Sequence, residues 1–297
     1  MSRQIVRALA VASLLTLSGC ASMTSQPSQQ MANLILAEPE QPTFRHEIEL
    51  AKISDMLTKP LNDDERAVLF YRRGALYDAM GLRTLARIDF NRALEFQPRL
   101  ADAYNYLGIH YTQMGEFQYA YEAFDAVIEL EPDHDYAYLN RGIAGYYDNR
   151  DDIAEDDIGR HYQAQTDDPY RVLWLYFGET LSSPERALTE LRKHRQAIAA
   201  DDWALNIIDL YLGDLSERQF LKRMAQQLAE DETLSERLCE AYFYLGKFKQ
   251  LQGQHAQAMN YFKLALATNV YEFVEHRYAA LELSRSREQV NAQQAQP

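Results

Sequence analysis

Residues 101–134 read Ala101-Asp-Ala-Tyr-Asn-Tyr-Leu-Gly-Ile-His-Tyr-Thr-Gln-Met-Gly-Glu-Phe-Gln-Tyr-Ala-Tyr-Glu-Ala-Phe-Asp-Ala-Val-Ile-Glu-Leu-Glu-Pro-Asp-His134, and this stretch decides the fold. Tyr104, Leu107, Gly108 and Tyr111 fall three and four residues apart, which places them on one face of a helix. Ala120, Phe124 and Val127 mark one face of a second helix, and Pro132 ends it. The same marks stand one period earlier, as Phe70, Gly74, Tyr77, Ala86, Phe90, Ala93 and Pro98. Gly74, Gly108 and Gly142 are each 34 residues apart. The small residues at 74 and 86 let two helices approach closely, and Tyr77 and Phe90 fill the space around them. A lone helical hairpin cannot bury both of these faces, so the hairpins must stack.

The period and the order of these residues resemble the tetratricopeptide-repeat (TPR) family. The resemblance implies an all-α fold, a right-handed helical solenoid with extra N- and C-terminal helices. Clear repeats are expected at 67–100, 101–134 and 239–272, the last carrying Tyr242, Leu245, Gly246, Ala258, Phe262 and Ala265. Degenerate repeats are expected at 135–168 and 171–200, within a solenoid spanning 61–288. The apolar pattern of 45–60 predicts one helix before Pro60, and Asn62-Asp-Asp-Glu65 predicts the next helix start. Gly213 reads as a helix stop, followed by a capping box at Ser216-x-x-Gln219. A final helix near 272–287 is expected to cap the open end, with a polar, disordered tail at 289–297.

The first nineteen residues read as a lipoprotein signal peptide. Arg3 and Arg7 precede an apolar run from Ala8 to Leu17 that is too short to span a bilayer. It ends in Leu17-Ser18-Gly19-Cys20, which resembles the bacterial lipobox, so Cys20 is the expected lipidation site. Ala21, in place of Asp, implies the outer membrane. Several acyl chains suffice for stable anchoring without any charge contribution. Residues 20–44 then read as the lipidated Cys and a flexible tether. Cys239, the other cysteine, sits in a helical pattern and is expected to be a buried small hydrophobe.

The chain has 297 residues with Lys+Arg 30 against Asp+Glu 44, a net charge of −14, which argues against nucleic acid as a partner. No phosphate-binding glycine loop, nucleophile elbow or zinc-ligand spacing occurs, so no catalytic residue, metal or cofactor is assigned and the chain is not expected to be an enzyme. The acidic run Asp148, Asp151, Asp152, Glu155, Asp156 and Asp157 fails the calcium-loop template and reads as a solvated helix start. In the TPR family, first-helix positions line the inner groove. Carried over, they give Tyr71 and Asp78, then Asn105, Ile109 and Thr112, then Tyr136, Leu139, Ile143 and Tyr146 as protein-binding residues. The alternative for each is packing against the next repeat or a terminal helix. The mix of aromatic, aliphatic and small groups suits an apolar, helical or extended protein segment.

Leu61-Asn-Asp-Asp-Glu-Arg-Ala67, Leu139-Asn-Arg-Gly-Ile-Ala144 and Phe273-Val-Glu-His-Arg-Tyr278 resemble the enterobacterial-type TPR outer-membrane lipoproteins. That resemblance implies a homodimeric, non-enzymatic adaptor, lipid-anchored on the periplasmic face of the outer membrane. It implies binding to a periplasmic PDZ-containing tail-specific protease and to a murein endopeptidase, promoting degradation of the endopeptidase. Peptidoglycan remodelling and cell division would be regulated in this way. Other peptidoglycan hydrolases are further expected partners. The alternative is a TPR assembly factor for outer-membrane proteins or secretion machinery.

Overall fold

Burial of the repeating apolar faces governs the architecture. A computed structural model describes residues 34–200, 202–230 and 232–295, apart from the side chain of residue 135. The signal peptide, Cys20 and the first part of the tether lie outside the described residues. From Ile35 onward the chain forms one unit. Helix α1 spans Phe44–Met56, and seven helices follow in pairs and a half: α2 (Asp63–Ala79), α3 (Arg83–Phe96), α4 (Ala101–Met114), α5 (Phe117–Leu130), α6 (Asp135–Asp148), α7 (Asp151–Ala164) and α8 (Pro169–Ser182). Then come α9 (Pro184–His194), a 3₁₀ turn at Arg195–Ala197, α10 (Leu205–Leu212), α11 (Glu217–Arg223), α12 (Leu234–Leu251), α13 (His255–Leu266) and α14 (Val274–Gln294). No strand occurs among the described residues. The fold is an all-α solenoid of paired helices with additional helices at both ends.

Helix starts follow their capping chemistry. The Asn62 side chain accepts from the Glu65 amide at 2.9 Å, and the Glu65 carboxylate accepts from the Asn62 amide at 2.9 Å. Ser216 and Gln219 form the same reciprocal pair at α11, after Gly213 closes α10 with φ +76°. In the repeats 67–100, 101–134, 135–168 and 239–272 the two helices touch where the glycine stands. A Cβ at Gly108 would lie 2.5 Å from the Phe124 ring, and one at Gly246 would lie 2.5 Å from the Phe262 ring. Phe124 and Phe262 are fully buried against these positions. Repeats one and three share a polar clamp as well: Arg73 donates to both Asp89 oxygens at 2.6 and 2.8 Å, and Arg141 does the same to Asp157 at 2.6 and 2.9 Å.

Three expectations change. The tail expected at 289–297 is helical as far as Gln294. Extending an existing helix fixes one residue per hydrogen bond, and no Gly or Pro interrupts 288–294. That final helix does not simply cap an open end. It lies along the first helices of the repeats: Arg277 pairs with Asp78 of α2 at 2.7 Å, and its guanidinium stands over the Tyr106 ring of α4. Tyr278 packs on Tyr147 of α6 and on Trp174 of α8. Finally, the stretch expected to be a free tether is tied down over 35–40. Tyr242 donates its hydroxyl to the Ile35 carbonyl, Ser235 donates to the Glu38 carbonyl at 2.8 Å, and the Glu40 amide donates to the Thr268 carbonyl at 2.7 Å. Extended backbone needs such partners when it lies against a surface.

The contact that seats α14 most deeply is the ion pair of Lys247 and Glu282 at 2.5 Å, with side chains 3% and 1% exposed. Burial alone would push the Lys247 ammonium down, yet Glu282 and the Tyr146 hydroxyl hold it above its ordinary value. Burial would likewise raise Glu282, and Lys247 and Gln250 hold it low. Removing one member strands the other without a partner. Lys247→Met is therefore expected to cost about 3–5 kcal/mol in denaturant unfolding, and the double variant Lys247→Met/Glu282→Leu less than that single change. A double variant as unstable as the sum of the singles would show that the pair does not act as a unit.

Candidate functional site

Most of the inner row of the repeats is already occupied. Ile109 packs in the core with Ala120, Phe124 and Ala144, Thr112 is fully buried and donates to the Gly108 carbonyl at 2.9 Å, and Ile143 is fully buried. These three expected groove residues are interior because their helical positions turn toward the neighbouring helix. Asp78 is buried as well: it accepts from His110 at 2.7 Å and from Arg277 at 2.7 Å. Burial would raise its carboxyl, but His110 and Arg277 hold it below the usual range. Tyr146 accepts from Lys247 at 2.5 Å and covers that ammonium with its ring. Asn105 accepts from Asn140 at 3.0 Å, and Tyr71 is half-buried against Phe90 and Tyr106.

Tyr136 is different, and Leu139, though itself buried, lies beside it. They line an open cleft of about 380 Å³ where α6 and α8 face α12 and the start of α14. Tyr136 is 60% exposed there. Trp174, Tyr170 and Phe273 complete the apolar wall, and Asp168, Glu240, Glu272 and Glu275 supply carboxylates. A second hollow of about 570 Å³ shares Tyr170, Glu240 and Phe273 and continues past Trp203 and Arg237. The cations at this cleft are engaged. Arg171 donates to the His161 carbonyl, while Arg237 pairs with Glu232, donates to the Gln226 carbonyl and lies over the Trp203 ring. Tyr170 donates to Glu240 at 2.6 Å and Tyr244 to Glu275 at 2.9 Å. Burial, with Glu275 nearby, pushes the Glu240 carboxyl up to about 8, and burial raises Glu275 too.

Sequence reasoning does not reach Tyr170, Glu240, Phe273 or Glu275 as site residues. Tyr170 carries a signal all the same, because it stands one 34-residue period after Tyr136. Glu240 and Glu275 carry none, since only the fold brings the start of α14 beside α12. The electrostatic setting is lopsided. Residues 101–170 hold sixteen of the 44 acids and three of the 30 bases, so this stretch carries −13 of the total of −14. Glu122, Asp125 and Glu129 on α5 and Asp152 and Asp156 on α7 are exposed. The acidic run is only partly solvated, however, because Asp157 is clamped by Arg141 and Glu155 pairs with Arg186 at 2.7 Å. Cys239 is fully buried, and burial pushes its thiol up.

Paired helices and glycine–aromatic contacts define a helical-repeat protein with an acidic, aromatic cleft. Residues 101–134 match the family model for the tetratricopeptide repeat. Among solved structures, the chain is similar to a tetratricopeptide repeat protein from Parabacteroides merdae ATCC 43184, with 17% identity, 82% of this chain and 91% of that chain covered, and a TM-score of 0.49. It is also similar to yeast Tom70, with 15% identity, 84% and 59% covered, and a TM-score of 0.38.

The start of α14, which walls the cleft, carries a pH-sensitive group. His276 is buried beside the Tyr271 ring, and its Nε2 donates to the Leu266 carbonyl at 3.1 Å while Nδ1 has no partner. Burial, with Arg83 and Arg277 close by, lowers its pKa from 6.5 to about 4. The unfolded chain takes up a proton there as pH falls through about 6.5, whereas the folded chain does so only near 4, so stability is lost across that window. His276→Gln is expected to flatten the loss between pH 7 and pH 4 by about 2–3 kcal/mol in denaturant titrations. Parallel profiles for the two proteins would contradict this assignment.

Proposed function

We propose that this chain is an adaptor of the bacterial cell envelope, anchored through Cys20 to the periplasmic face of the outer membrane. In this reading it holds a PDZ-containing tail-specific protease and a murein endopeptidase on one rigid body, so that the endopeptidase is degraded and cross-link cleavage in peptidoglycan is limited. The sequence resembles the outer-membrane lipoprotein NlpI in the stretches 61–67, 139–144 and 273–278. The observation that carries the scaffold reading is the open cleft between α6, α8, α12 and α14, on a solenoid whose inner row is otherwise largely covered by its own helices. Co-localising protease and substrate raises their effective concentration without any chemistry by the scaffold itself. The lipobox supports the anchor. Homodimer formation through α1 is supported by Phe44 and Ile48, which are 76% and 52% exposed on that helix.

Purified endopeptidase is expected to disappear at least several-fold faster in the presence of the protease plus this chain than with the protease alone, followed on gels over time. Equal rates in the two reactions would end the adaptor reading.

A further inference from the structure

Among the described residues, the buried carboxylates are paired with cations, with one exception. Asp78 has Arg277, Asp89 has Arg73, Asp157 has Arg141 and Glu282 has Lys247. Glu275 is 6% exposed and receives the Tyr244 hydroxyl, and neighbouring Glu240 receives the Tyr170 hydroxyl, but neither makes an ion pair. Arg237 acts on Glu240 through space, yet its hydrogen bonds go to Glu232 and the Gln226 carbonyl. Both carboxylates belong to the lining of the open cleft, which also includes Tyr136, Leu139 and Trp174.

We propose that the cleft is a receptor for a cationic side chain: an extended segment of a partner protein inserts an arginine or lysine beside Glu240 and Glu275 and lays a flanking apolar residue on the exposed ring of Tyr136. The proposal rests on the scaffold reading above and adds the chemistry of what is bound. Charge complementarity selects the occupant. Two neighbouring carboxyl groups in a partly dry site resist ionising together, and a guanidinium or ammonium favours the charged form of each. Arginine also offers five donors in a planar fork, enough to bridge two carboxylates. Calcium fits poorly, because it needs six to eight oxygen ligands and each carboxylate already accepts a phenolic hydrogen. The −13 carried by residues 101–170 adds a long-range field that draws basic segments toward this side of the molecule.

The test uses the full-length chain and three fluorescein-labelled eleven-residue peptides, acetylated and amidated, with identical Leu/Val flanks and a central Arg, Gln or Glu. Fluorescence anisotropy is expected to give tightest binding for the Arg peptide, roughly tenfold weaker binding for Gln, and none for Glu. Glu240→Gln and Glu275→Gln should bring the Arg peptide down to the level of the Gln peptide without weakening the latter. Tyr136→Ala, on an exposed residue, should weaken both peptides equally. Thermal unfolding of each variant reports whether the fold is kept, and Tyr170→Phe, which leaves both carboxylates in place, should preserve the preference for Arg. Equal binding of the Arg and Gln peptides, or a preference that survives both Glu→Gln changes, overturns the cation receptor and leaves the scaffold reading standing. Absence of binding by all three peptides at millimolar concentration overturns both.

Discussion

Glu282 is the point on which the inner architecture turns. It brings a negative charge into a site only 1% exposed and meets Lys247 at 2.5 Å, Gln250 at 2.9 Å and the Tyr147 hydroxyl at 3.0 Å. A buried pair of this kind adds little net stability over an apolar replacement, because removing two charges from water costs about as much as their attraction returns. What it does supply is register. A slip of one helical turn along α14 would carry Glu282 about 5.4 Å from its donors and leave Lys247 buried and unpaired. Asp78–Arg277, the α14 contact made to α2, and Arg285, which donates to the Tyr147 carbonyl at 2.7 Å, sit on the same helix and are fixed by the same register.

That dependence explains what could be read in the sequence. The glycine–aromatic spacing within a repeat was legible because both partners sit within one 34-residue period and their geometry is local: Gly108 and Phe124 are sixteen residues apart. The caps at Asn62 and Ser216 were legible because a capping box spans four residues. The seating of α14 was not, since Tyr147–Glu282 and Asp78–Arg277 join residues 135 and 199 positions apart. The 35–40 strap meets its partners across about two hundred positions. Of the candidate site, Tyr136 and Leu139 follow from helical position, but whether a given inner position is open or covered depends on where the last helix lies. Ile143 and Tyr146 obey the same spacing rule as Tyr136 and are nonetheless taken.

The clamp formed by Arg73 with Asp89 and by Arg141 with Asp157 shows a second kind of legibility. The two pairs lie two periods apart, at the same offset of sixteen residues. Between them, repeat two has Leu107 and Ala123 at the matching positions, both buried. The same contact is therefore built once from charge and once from apolar packing. Alternation of this sort is tolerated because each solenoid interface depends only on its neighbours.

An inner face filled by the chain's own helix changes the physics of recognition. A solenoid with an empty groove must order itself around each ligand, whereas here α14 already holds α2, α4, α6 and α8 in one arrangement. The cost of ordering the receptor is met at folding, so a bound segment loses mainly its own freedom. The same filling leaves the cleft where α14 begins. Phe273 is the N-cap residue of that helix, and Glu275 lies in its first turn. The positive end of the helix dipole favours the charged form of Glu275 while burial opposes it. A cation beside Glu275 would add to the dipole's side of that balance, so the helix that fills the groove also sets the charge state of a carboxyl at the cleft.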